Sequence, residues 1–325
     1  MRTILAAATL ACGVMAAQGA SAADAKTIKI GVSMLTQTAP YYVALQTAIQ
    51  KRAQALGATV VTADANGDML KQISDVEDML SQKIDVLVMD PKDAKGLVGA
   101  TKEAAAAHVP VIIVDSSIDP SAPVLTTIQS SNSENGRLIG DWLIGKVKGM
   151  DLRIALLSGD QGNLVGEARR DGVMDGIVEA QLRQLGHAGF TIVGQGWGGW
   201  TQEGGIKAME DLLTAHPDIN AVLAENDSMA LGAMRAIKDA GKSDKNILVF
   251  AAADGQKEAV KLIQDGSYGA TGLNDPAVIG KMAAELAVKA ANHQVPADTP
   301  KITYTPPVAI TKANAAQYYH PDALF

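Results

Sequence analysis

Val111-Ile112-Ile113-Val114 decides the fold. Four apolar β-branched residues in a row, with Pro110 before them and Asp115 after, have no polar face to turn to water. A strand of this kind is buried on both sides, as in a parallel sheet covered by helices on both faces. Lys95 to His108, just upstream, predicts a helix. Working back toward the N-terminus, strands are predicted at Ile84–Met89, Ala58–Ala63 and Thr27–Met34, with helices at Met69–Gln82 and Tyr41–Leu56. Working forward, helices are predicted at Leu138–Val147, Arg169–Leu185, Gly204–Ala215, Met229–Ala240, Lys257–Gln264 and Ala277–Ala291. They alternate with strands at Arg153–Leu157, Thr191–Val193, Ala221–Ala224, Ile247–Ala251 and Gly269–Gly272. Short apolar strands alternating with helices of ten or so residues give an α/β fold, here in two successive parallel units of one architecture.

The first residues are set apart from this reading. Arg2, the apolar stretch Ile4 to Ala17 and the small residues Ala20-Ser21-Ala22 read as a secretory signal, residues 1–22, cleaved after Ala22. Cys12 is the only cysteine and lies inside that signal, so the mature chain is expected to hold no disulfide and no thiolate metal site. Without Arg2, 27 basic residues face 35 acidic ones, a net charge of −8. A mildly acidic chain without basic clusters argues against nucleic-acid binding.

Ligands of parallel α/β sheets bind at the carboxyl ends of the strands. Tyr41-Tyr42 follow the first strand, Asp115-Ser116 the fourth, and a Gly-rich loop then Arg169 the one ending at Leu157. Trp197 and Trp200 follow Val193, Glu225-Asn226-Asp227 follow Ala224, Asp254 follows Ala251, and Asn274 follows Gly272. Aromatic faces pack on the C–H faces of a sugar ring. Carboxylates, an arginine fork and amides pair with its hydroxyls. Asp227, ahead of a helix, is read as a cap, and Arg170 as a solvated charge. The loop after the first strand, Leu35 to Pro40, has no G-x-G-x-x-G, the chain has no Walker, G-x-S-x-G or H-E-x-x-H motif, the five histidines are scattered, and Gly159–Gly162 is a phosphate-loop candidate without a lysine.

Leu212-Leu213-Thr214-Ala215-His216-Pro217-Asp218, then Ala221-Val222 and Glu225-Asn226-Asp227-Ser228-Met229-Ala230-Leu231-Gly232-Ala233, closely resemble the ribose-binding protein family of type I periplasmic binding proteins. So do Pro110-Val111-Ile112 ending in Asp115, and Pro40-Tyr41-Tyr42. The resemblance implies two Rossmann-like lobes with parallel sheets, joined by three crossing strands near Ile128–Asn132, Asn274 and Thr303–Thr305. It implies an N-terminal lobe of residues 27–130 plus 275–303 and a C-terminal lobe of 131–274 plus 304–325. It places Tyr41, Tyr42, Asp115, Arg169, Trp200, Asn226, Asp254 and Asn274 on the ligand, with Trp197 a further candidate. Ser116, Leu35 and Ala39 stand where the ribose binders carry polar groups, which argues for a different monosaccharide or a sugar alcohol. The implied partner is an ABC importer permease in the inner membrane. The expected protein is periplasmic, monomeric and non-catalytic, with no cofactor or metal. Three other readings share some of these features. A transcriptional regulator would need a helix-turn-helix module before Thr27. A glycosidase would use Asp115 and Asp254 as its carboxylate pair. A sensor of a furanose-like signal, or a chemoreceptor partner, would share fold and site.

Overall fold

The computed structural model describes residues 27–147, 151–242 and 246–325. The proposed signal segment lies outside them. No helix among the described residues is long and apolar enough to cross a membrane.

The first sheet is built from β1 (Lys29–Met34), β2 (Thr59–Asp64), β3 (Val86–Met89), β4 (Val111–Val114) and β5 (Thr126–Ser130), and it is all parallel. Between these strands run α1 (Pro40–Ala55), α2 (Met69–Ser81) and α3 (Val98–Ala106). The second half begins with α4 (Asn132–Val147) and β6 (Arg153–Ser158). It continues through α5 (Leu164–Leu185), β7 (Thr191–Trp197), α6 (Gln202–Ala215), β8 (Ala221–Ala224), α7 (Asp227–Asp239), β9 (Leu248–Ala251), α8 (Lys257–Asp265) and β10 (Thr271–Gly272). The chain then runs through α9 (Pro276–Ala291), β11 (Ile302–Thr305), β12 (Ala309–Ile310) and α10 (Ala315–Tyr318).

β11 joins the first sheet, whose order is β11-β5-β4-β3-β1-β2. The second sheet has the order β7-β6-β8-β9, and β10 pairs antiparallel with β12 beside it. Burial follows from these positions. The interior strands β3, β4 and β8 are buried at every residue, while the edge strands β2 and β7 keep exposed positions. One core fills the space between the first sheet and α1 and α9, and another lies on its opposite face against α2 and α3. The second sheet is covered in the same way, by α6, α7 and α8 on one face and by α4 and α5 on the other.

The chain passes between the two halves at residue 131, at 273–275 and at 306–308. The expected lobe boundary at 303/304 falls inside β11. All four residues of that strand pair with β5, so the third passage lies beyond Thr305. Buried Asn135 ties two passages together: its Nδ2 donates to the Leu273 carbonyl (2.8 Å), and its Oδ1 accepts from the Val308 N–H (2.9 Å).

Several element boundaries differ from the sequence reading. α4 starts at Asn132 rather than Leu138, and α5 at Leu164 rather than Arg169, because Asn163 caps α5 through Val165 N–H and Gly166 N–H. α3 is shorter than expected, starting at Val98 instead of Lys95, and the short helix α10 has no counterpart in that reading. β7 runs on to Trp197 instead of stopping at Val193.

Candidate functional site

The carboxyl ends of the two sheets face one cleft of about 560 Å³ of empty space, part of it open to solvent. Each half contributes by a local device. Pro40 at the first position of α1 supplies the fixed φ of a helix start, and Tyr41 and Tyr42 follow at once. Asp115 follows β4 directly with φ +58°, a left-handed conformation that aspartate tolerates better than most residues. Trp200 takes φ +64° after Gly199, and a Cβ on Gly159 would lie 2.0 Å from its indole. The ring therefore lies against bare backbone, which only glycine allows here.

Arg169 is placed by helix packing. α4 and α5 approach so closely that a Cβ on Gly136 would sit 2.4 Å from the Arg169 carbonyl, and one on Gly172 would sit 2.2 Å from that of Ser133. The resulting contact holds Arg169 in the second turn of α5 with its side chain 4% exposed. Its Nε donates to Asn132 Oδ1 (2.9 Å) and its Nη1 to the Glu225 carbonyl (3.1 Å). Its Nη2 pairs with Asp254 Oδ1 at 2.9 Å, and the guanidinium carbon lies 5.8 Å from the centre of the Trp200 ring.

A polar chain continues from there. Asn274 Nδ2 donates to Asp115 Oδ1 (3.0 Å) and, at longer range, to Asp254 Oδ1 (3.4 Å). Tyr41 Oη donates to the same Asp115 oxygen at 2.5 Å. Asn274 Oδ1 is buried with no partner, an acceptor left free among cleft-lining residues. Burial pushes the Asp254 carboxyl up to about 7 against the pull of Arg169, with Asp227 and Asp115 adding to the rise. Burial, with Asp115 second, also holds the Tyr41 phenol well above its usual range.

The structure brings Tyr41, Tyr42, Asp115, Arg169, Trp200, Asn226, Asp254 and Asn274 to this one cleft, together with Leu35, Ala39 and Ser116. Trp197 is not among the lining residues. It closes the edge strand β7, 44% exposed, because the strand runs four residues further than the sequence suggests. Asn226, expected to face a ligand, also does local work. It is the cap of α7, its Oδ1 accepting from Met229 N–H (3.0 Å) and its Nδ2 donating to the Trp200 carbonyl (3.1 Å). Asp227, expected to be a cap, is the first residue of α7 and is fully buried. Its Oδ2 accepts from the N–H groups of Asp254 (3.2 Å), Gly255 (2.7 Å) and Gln256 (2.8 Å), and its Oδ1 accepts from Tyr268 Oη (2.7 Å). Asp227 thus moulds the turn that presents Asp254. Arg170, expected to be solvated, pairs with buried Glu225 at 3.0 Å. The other Glu225 oxygen accepts from Gly159 N–H (2.8 Å) and fixes the loop beneath Trp200.

Sequence reasoning missed Lys92 and Asp160, which line the cleft from opposite halves and form a 2.7 Å ion pair. The carboxyl-end rule applied to β3 would have found Lys92, and the loop Gly159–Gly162 already contained Asp160. It also missed Asp90, fully buried just past the end of β3, with its carboxyl close to Asp115 and Ser116. Burial first, and then the nearby Asp115, hold the Asp90 carboxyl well above the usual range, despite a pull downward from Ser116. In the unfolded chain this acid ionises near pH ~4. Its stabilising contribution is therefore complete below that pH and is lost as pH rises toward the folded value. Asp90→Asn is expected to raise the melting temperature at pH 8, with the gain shrinking as pH falls toward 4. Equal melting curves at pH 8 would show that Asp90 carries no such burden.

The chain matches the family model described as a periplasmic binding protein domain over residues 30–294. It belongs to the periplasmic binding protein family. The ribose import binding protein of Bacillus subtilis (strain 168) is 35% identical over 271 residues, 83% of this chain and 84% of that protein. The galactofuranose-binding protein of Escherichia coli (strain K12) is 30% identical over 256 residues, covering 77% and 78%. Among solved structures, an ABC transporter solute binding protein from Mycobacterium smegmatis with bound glycerol superimposes with a TM-score of 0.83. It is 34% identical and spans 91% of this chain and 98% of its own. Periplasmic binding proteins are solute carriers, not enzymes, and in this member the cleft fits that role. Asp115 and Asp254, the pair a glycosidase would need, share one network through Asn274, and Asp254 is already engaged by Arg169.

Proposed function

We propose that this periplasmic binding protein captures a monosaccharide or sugar alcohol between its two lobes and delivers it to an ABC importer in the inner membrane. The observation that carries the reading is the unpartnered Asn274 Oδ1, set in a cleft with two tyrosines from one half and Trp200 from the other. A polyhydroxylated ring would place apolar C–H faces against these aromatic rings and hydroxyls on Asp115, Arg169, Asp254 and Asn274. Each charge-assisted bond would contribute about 1.5–3 kcal/mol. Leu35 and Ala39 bring no side-chain hydrogen-bonding group to the same cleft and Ser116 brings one hydroxyl in place of a charged fork, which supports a solute other than ribose.

The Lys92–Asp160 pair across the cleft supports closure by a hinge motion, with the passages at 131, 273–275 and 306–308 as the hinge. Solute touching both lobes would favour the closed state, because only that state makes both sets of contacts. The secretory signal at 1–22, the periplasmic location and a monomeric state belong to the same proposal.

A thermal-shift screen of the mature chain against pentoses, hexoses, deoxy sugars and alditols tests it. One strong hit is expected, since a solute that binds only the folded state raises the melting temperature. No shift with any of them would remove sugars and polyols from the reading. Calorimetry with the hit adds a pH test. Hydroxyls donate to the ionised form of Asp254, whose carboxyl sits at about 7. Affinity is expected to rise from pH 6 to 8, with about a fivefold change between 6 and 7. A flat profile would mean that the solute does not use the Asp254 carboxylate.

A further inference from the structure

Segment 315–325 joins elements that belong to different halves of the molecule. Its first part lies on the second half: Tyr318 and Tyr319 pack against the core formed by α6, α7 and α8. Lys257 Nζ, at the start of α8, donates to the Ala323 carbonyl at 2.6 Å. Two residues later the chain has reached the first half. Phe325 packs against the core of α1 and α9 and meets Tyr41 edge to face, ring centres 5.3 Å apart at 86°. Between these anchors the segment borders a largely apolar hollow with Ala44 and Ala48 of α1 and Leu273 of the second passage. Asp254 and Asn274 line this hollow as well as the cleft, so the segment runs behind the site.

We propose that residues 315–325 form a strap, a fourth link between the lobes in addition to the three passages, and that Phe325 is a positioning residue for Tyr41. The Tyr41 ring is held on two sides, by Phe325 and by Tyr42, whose ring centre is 5.6 Å away at 87°. Held in this way, its Oη donates to Asp115 Oδ1 at 2.5 Å. The strap therefore acts on the cleft through an aromatic contact without entering it. Opening the lobes must either carry Phe325 away from Tyr41 or pull Ala323 from Lys257. Each of these contacts biases the ligand-free protein toward closure. The assignment of the cleft as the solute site rests on the proposed function; the mechanical role of the strap does not.

Both halves of the proposal can be read on the ligand-free mature chain, so failure of the sugar reading leaves the test intact. Spin labels on cysteines placed at Lys102 of α3 and Lys238 of α7, both exposed, report the distance between lobes. Phe325→Ala and Lys257→Met are each expected to shift the distribution to longer distances and to broaden it. In protein carrying fluorotyrosine, the fluorine resonance of Tyr41, assigned with Tyr41→Phe, is expected to shift in Phe325→Ala. Phe325→Tyr, which keeps the ring, should restore it. Unchanged distances in both variants would overturn the strap, and an unmoved Tyr41 resonance would overturn the positioning role. If Phe325→Ala does not fold, Lys257→Met decides the first point and Phe325→Leu the second.

Discussion

Replacing Arg169 with methionine is expected to abolish solute binding and to lower stability by about 3–5 kcal/mol. The guanidinium is buried and serves Asn132, the Glu225 carbonyl, Asp254 and the face of Trp200 together. Its loss would strand the Asp254 carboxyl in a site where burial already pushes it to about 7, so the acid would become neutral at working pH. A neutral acid no longer accepts charge-assisted bonds from a solute. Urea denaturation would read the stability loss, and calorimetry with the solute found by screening would read the affinity. The double variant Arg169→Met with Asp254→Leu separates the two effects. Removing both partners takes away the buried carboxyl left without its arginine, so much of the stability should return while binding stays lost. A single variant that binds like the wild type would exclude Arg169 from the site.

Asp227→Ala is expected to destabilise the fold by several kcal/mol although Asp227 is not among the residues lining the cleft. Its carboxylate is the acceptor for three consecutive backbone N–H groups and one phenol. Each buried donor left without a partner costs about 1–3 kcal/mol, and an alanine strands four of them. Affinity should fall as well, because the turn from Asp254 to Gln256 would lose the group that shapes it. Asp227→Asn keeps one acceptor oxygen and should lie between the two. The urea midpoints of the three proteins, measured at one pH, test the order. A midpoint for Asp227→Ala within error of the wild type would refute this account of the turn.

These two residues also show where sequence reasoning succeeds and where it stops. Arg169 was legible because it lies shortly after a strand ending at Leu157, and the carboxyl end of a parallel strand is where function gathers. Its partners were not legible. Asn132, Glu225 and Asp254 lie 37, 56 and 85 residues away, and no local pattern links them to it. At Asn226-Asp227 both residues can cap a helix, and sequence composition does not choose between them. The structure chooses by where the backbone of 254–256 runs, a contact across 27 to 29 residues. Arg170 and Trp197 follow the same logic. The first pairs with a glutamate 55 positions on, and the second turns outward because its strand continues past Val193.

The sequence alone determined the layered α/β architecture and the rim on which most cleft residues stand. Both follow from local physics: β-branched apolar runs without a polar face must be buried on two sides, and helices of suitable length cover them. Only the tertiary structure decided which of those rim residues share a network, which stand behind it, and that segment 315–325 reaches back to Tyr41. Those outcomes depend on how closely α4 and α5 approach across their glycines and on where the chain passes between its halves. Burial periodicity is written into neighbouring residues, whereas the choice of a hydrogen-bond partner is made between segments brought together only when the whole chain has packed.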